Sequence, residues 1–81
     1  MAIRLTAHAQ EMIEERRLSV TWVESTIAHP DFTRPDPIDA ALTRAFRSIS
    51  EAGDRLLRVV YRQDGEDAVV ITAHFDRGAR S

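Results

Sequence analysis

An α+β fold is predicted for this 81-residue chain from three observations. Two apolar stripes at helical spacing follow Thr6 and Ser19, residue types that cap helix starts. Toward the C-terminus, Arg55 to Arg62 and Asp67 to Phe75 are rich in Val, Leu and Ile and flank Asp64-Gly65, a dipeptide that marks a hairpin. All three prolines fall between these halves, in a stretch from Pro30 to Pro37 too short to separate domains, so residues 1–81 are expected to form one domain.

The elements follow in order. Ile3 and Leu5 alternate with Ala2 and Arg4, which fits a short first strand ending at Thr6. A first helix over Ala7 to Arg17 places Ala9, Met12, Ile13 and Arg16 on one stripe, with Glu11, Glu14 and Glu15 largely on the other side. A second helix over Val20 to Ala28 starts at Ser19, where Leu18 and Val23 can form a hydrophobic staple, in preference to a capping box of Thr21 with Glu24. It ends where Pro30 drives His29 out of helical geometry. Pro30 to Pro37 then reads as a surface loop. Residues 38–49 carry two patterns at once. Ile38, Ala41, Leu42, Ala45, Phe46 and Ile49 make a helical stripe started by Asp36 and Pro37, whereas Thr43, Ala45, Arg47 and Ile49 alternate as in a strand, with Glu51 to Asp54 as a hairpin loop. The pattern alone weighs slightly toward helix.

Composition narrows the function classes. With 43% hydrophobic and 30% charged residues the chain is an ordinary globular domain, and no apolar run approaches the ~20 residues of a membrane span. No membrane association and a cytoplasmic location are expected. Zero cysteine removes disulfides, thiolate nucleophiles and Cys-based metal sites. The three histidines are too dispersed to suggest a metal centre, the glycines Gly53, Gly65 and Gly78 are isolated rather than part of a phosphate loop, and no serine lies in a nucleophile motif. Neither metal nor cofactor is expected. All cations are Arg, and the joint absence of Lys and Asn, whose codons are AT-rich, reads as genome composition bias. A net charge of −2 gives no general field for nucleic acid, so phosphate binding would need a local cluster. Residues 41–81, with seven Arg against six acids, are the place for one.

The run Thr6, His8, Met12, Glu15, Arg16, Leu18, Ser19, Val23 and Pro30, followed by LLRVVY at 56–61 and VVITAHFDR at 69–77, resembles a small bacterial family of unknown function, a DUF-type domain related at fold level to the RelE and BrnT toxins. Leu18 stands where that family more often has Ile, Arg17 where it often has Gly, and His74 where an aromatic residue is frequent. The resemblance implies a RelE-like order, a short strand, two helices and a three-stranded antiparallel meander (β-α-α-β-β-β), and turns residues 42–50 to strand. It also implies a toxin-type protein, RNA as candidate substrate, and a cognate antitoxin as candidate partner. Fold does not fix activity.

Relatives with that fold include metal-independent ribonucleases, in which a base activates the ribose 2′-hydroxyl and cations stabilise the phosphorane. With Asp64-Gly65 as a two-residue turn and Glu51 to Asp54 as a four-residue loop, Arg47 is expected directly opposite Arg58. Such a like-charge pair is unfavourable unless an anion lies between, which makes Arg47 and Arg58 candidate phosphate binders. A one-residue change in loop length would separate them. His8, in the first turn of the first helix, is the candidate acid or base with Arg58 as its catalytic partner, against the plainer reading of a histidine that fixes the helix. His74 is a second candidate acid or base, although this register turns it to the apolar face opposite Arg55. Arg77 is a peripheral anion binder, with Arg80 in the tail. His29 is assigned no role. The alternative from another class is a non-catalytic protein-binding module of the same fold, as in ParE-like members. The slightly acidic balance favours it, and Trp22 is its candidate anchor, if an exposed apolar patch surrounds it.

Overall fold

A computed structural model describes residues 2–78. The chain order is β1 (Ile3–Leu5), α1 (Ala7–Glu15), α2 (Val20–Ala28), β2 (Phe32–Pro35), β3 (Leu42–Ile49), a 3-10 turn (Ser50–Ala52), β4 (Arg55–Asp64) and β5 (Asp67–Phe75). These make an α+β fold with one five-stranded mixed sheet in the order β1-β5-β4-β3-β2. β1 runs parallel to β5, and the other neighbours are antiparallel.

Local chemistry explains both helices. Thr6 caps α1 by accepting the Ala9 N–H at 3.1 Å, and Ser19 caps α2 by accepting that of Thr21 at 3.2 Å. α1 ends two residues earlier than its pattern suggests, because Arg17 adopts a left-handed φ of 55°. The Leu18 N–H bonds the Ile13 carbonyl and the Arg17 N–H that of Glu14, with Leu18 and Ile13 both buried, which is the Schellman termination.

One expectation is corrected and one ambiguity is resolved. The stretch from Pro30 to Pro37 is not simply a loop: it holds β2, a fifth strand, whose Pro35 is tolerated because β2 is the sheet edge. Of the two patterns in residues 38–49 the strand is the one formed, as the resemblance implies and against the slight helical weight of the pattern alone, since Leu42–Ile49 is paired on both sides. A strand here buries Ala45 and Ile49 on one face and Phe46 on the other, whereas a helix would leave the edge of β4 unpaired.

Both helices cover one face of the sheet. Ala9, Ile13, Leu18, Val23 and Ile27 pack there with Ile49, Leu57, Val59, Ala68, Val70 and Ala73. The opposite face has no helix over it. Alternation along the strands places Arg4, Arg34, Arg44, Phe46, Arg58, Val60, Arg62 and Val69 on that open face. Phe46 is nonetheless only 2% exposed, with Phe32 stacked on it at 4.6 Å and the Arg34 guanidinium 5.2 Å from the Phe32 ring. No helix is long and apolar enough to cross a membrane among the described residues.

Candidate functional site

The register of β4 and β5 builds the cluster that stands out on the open face. Asp64 pairs with Asp67, so Gly65 and Glu66 form the turn, with Gly65 at φ 61° as the first central position of a type II′ turn requires. Val60 then pairs with Thr72 but Tyr61 with Val70, which leaves Ile71 as an extra residue in a β-bulge. Beyond the bulge Arg58 is directly opposite His74. The expectation that His74 opposes Arg55 on the apolar face is therefore overturned, since a one-residue bulge reverses the face of every residue after it.

Arg58 is held between two partners. Its Nη2 donates to His74 Nε2, and its Nη1 lies 3.2 Å from Asp76 Oδ2, with 19% of each of the Arg58 and Asp76 side chains exposed. Arg58 Nε is buried with no acceptor among the described residues. Because a guanidinium only donates, Nε2 of His74 is the unprotonated ring nitrogen. Burial lowers the His74 pKa below its ordinary value, and the Arg58 and Arg16 charges lower it further against the opposing pull of Asp76. A neutral imidazole is thus poised beside a fixed cation, as general-base chemistry on a phosphodiester needs.

The other expected site residues are dispersed. Arg47 pairs with Leu57 rather than Arg58, because the loop from Ser50 to Asp54 is one residue longer than expected; its Nη1 donates to the His29 carbonyl at 2.6 Å. His8 is exposed on α1, across the sheet from Arg58, so these two do not form one centre. Arg77 follows β5 and is exposed beside Asp76, while Arg80 lies outside the described residues. Trp22 is half-buried against the core, its ring edge-on to Phe75 and its Nε1 donating to Glu51 at 3.1 Å, not the centre of an exposed patch. Glu51 has a lowered pKa, first because the Ser50 hydroxyl donates to it.

A pair of arginines directly opposed in the sheet does exist, at Arg34 and Arg44. Its anion is internal: Asp36 accepts from Arg44 Nε at 3.1 Å. Asp36 also accepts the Asp39 and Ile38 N–H groups, which hold its pKa below the usual carboxylate value ahead of the Arg44 contribution. Asp36 and Asp76 were not among the residues expected from sequence; each follows a strand directly, the position from which a short carboxylate can reach back to an Arg on the adjacent strand. No group of three or more His, Asp or Glu side chains converges to hold a metal among the described residues.

A family model described as "Domain of unknown function (DUF4258)" matches residues 5–75. No curated protein and no solved structure matches the chain.

Proposed function

The chain belongs to that family of unknown function, and on this premise we propose that it is a RelE- and BrnT-like toxin-type protein that acts on RNA at the open face of its sheet, as a metal-independent endoribonuclease. The observation that carries the reading is the contact of Arg58 with both His74 and Asp76 on a face no helix covers. In the proposed reaction the phosphodiester takes the hydrogen bonds of Arg58, which frees His74 Nε2 to accept the proton of the ribose 2′-hydroxyl. The 2′-oxygen attacks phosphorus, the bond to the 5′-oxygen breaks, a 2′,3′-cyclic phosphate forms, and the departing oxygen takes a proton from water. Arg58 stabilises the charge that develops on the phosphorane. His8 has no part in this reaction. The cellular setting that goes with the reading is the cytoplasm, with a cognate antitoxin as partner.

The alternative, a module that only binds a partner protein, would call for an exposed apolar patch. The exposed large hydrophobics among the described residues are Val20, on α2, and Ile38, between β2 and β3, which favours the RNA reading. The test is cleavage of a mixed RNA by purified protein in EDTA. Cleavage by the wild type and by His8→Ala, with loss in folded Arg58→Ala and His74→Ala, is expected. An inert wild type at high concentration, or full activity in His74→Ala, would overturn it.

A further inference from the structure

At Asp76, the carboxylate that holds Arg58, the surface opens into a cleft of about 300 Å³ lined by Asp54, Arg55, Leu56, Phe75, Asp76 and Arg77. This is the lower end of the roughly 300–1,000 Å³ range of small-molecule sites, the size for one nucleoside rather than an extended chain. Asp76 belongs to both places, as the carboxylate on Arg58 and as part of the cleft wall. A nucleotide with its phosphate on Arg58 would therefore have its base within reach of the cleft.

The wall has the parts that read a base. Arg55 is an exposed arginine held in place twice: its Nε donates to the Ala52 carbonyl at 3.0 Å and its guanidinium is 4.1 Å from the Phe75 ring centroid. Phe75 is in turn buttressed by Trp22 at 6.2 Å. A fixed guanidinium plane is a stacking platform for an unpaired RNA base, and being already ordered it loses little freedom on binding. Asp76 is committed to Arg58 and to the Gly78 N–H. Asp54 is not: its side chain makes no hydrogen bond or ion pair among the described residues. A carboxylate accepts the N1–H and N2–H groups that guanine alone presents side by side, and an arginine such as Arg77 can donate to guanine O6 and N7. Adenine and the pyrimidines offer no such pair of donors.

We infer that the Asp54, Arg55 and Arg77 cleft is a guanine subsite, which selects a guanosine as the nucleotide that supplies the attacking 2′-hydroxyl. The inference rests on Arg58 as the phosphate cation, and the test separates the two. Guanosine, adenosine, cytidine and uridine 3′-monophosphates, and inorganic phosphate, are titrated into 15N-labelled protein. Guanosine 3′-monophosphate is expected to bind about tenfold or more tightly than the others, the worth of hydrogen bonds to a charged group, and to shift the amides of Asp54, Arg55 and Arg77. Asp54→Asn should erase that preference while phosphate still binds. Asn tolerates the left-handed φ of 59° at this position, so the variant keeps the backbone. Arg58→Ala should weaken all four nucleotides alike. Equal binding of the four nucleotides, or an unchanged preference in Asp54→Asn, would overturn the guanine subsite and leave the Arg58 reading standing. Absence of binding by every nucleotide and by phosphate would overturn both.

Discussion

Arg58 is a charged group with only 19% of its side chain exposed, and Asp76 is its sole anionic partner among the ion pairs of the described residues. Replacing that carboxylate leaves the cation with a neutral histidine alone. Asp76→Ala is therefore expected to destabilise the fold by about 1–3 kcal/mol, read as a lower urea midpoint with an unchanged slope. His74 adds a pH dependence of defined sign. Its folded pKa lies below the ordinary value of 6.5, so the folded state binds fewer protons there than the unfolded chain does. This contribution is present above pH 6.5 and is lost as the pH falls through the lowered folded value. Urea midpoints of the wild type should rise from pH 5.5 to 7.5. His74→Gln, which keeps an acceptor for Arg58 but cannot titrate, should show a flatter rise. Arg17 offers the opposite case, a residue whose replacement helps. A side chain with Cβ at φ 55° is strained, and the Schellman termination accepts glycine without that strain. Arg17→Gly is expected to raise stability by about 0.5–1 kcal/mol, measured in the same unfolding series.

At the scale of elements, what the sequence reveals depends on how local the causes are. Thr6 and Ser19 announce both helices because a cap acts on N–H groups two or three residues away, and α2 begins and ends where its pattern says. Thr6 also ties β1 to β5, but through its main-chain N–H, which donates to the Val70 carbonyl at 3.2 Å and which alanine retains, so Thr6→Ala should cost about 1 kcal/mol through the lost cap alone and fray the first turn of α1. Amide exchange is the check: protection should fall in the first turn of α1 and persist in β1, and equal loss in both would show that the cap holds the two elements as one unit. β2 is hard to see because Phe32 alone among its residues carries an apolar large side chain, and it exists through Phe46, fourteen residues on. In β3 the same residues satisfy both periods, and the choice is made by the unpaired edge of β4. The bulge at Ile71 is the least legible feature and the one that matters most for the site, since it brings His74 to Arg58. Nothing in VVITAHF distinguishes a bulged from a regular strand, and the turn is displaced by one residue as well. Arg58 and His74 were thus identifiable as candidates one by one, but their meeting was not.

For the molecule as a whole, a net charge of −2 conceals a separation of faces. The helix side carries Glu11, Glu14, Glu15 and Glu24 against Arg16 and Arg17, all exposed, whereas the open sheet face presents Arg4, Arg34, Arg44, Arg58 and Arg62. Several of these cations are already engaged: Arg4 with Asp64 at 2.5 Å, Arg44 with Asp36, Arg58 with Asp76. An anionic strand on this face would exchange internal carboxylates for phosphates and gain less than the arginine content suggests. Single-stranded RNA binding should accordingly show a shallow salt dependence, since each neutralised phosphate contributes a slope of about 0.7 in log K against log salt. Arg62, exposed and beside Val69 in the middle of the face, has no internal carboxylate among the ion pairs of the described residues. Arg62→Ala should therefore lower the slope by about 0.7, measured by fluorescence anisotropy of a labelled oligonucleotide from 50 to 200 mM salt. Arg17→Gly removes a cation from the helix side without loss of stability and so serves as the matched comparison. It should leave both affinity and slope unchanged. A loss of slope in Arg17→Gly with none in Arg62→Ala would put the RNA on the wrong side of the sheet for Arg58, and would rule out the open face as the site of its chemistry.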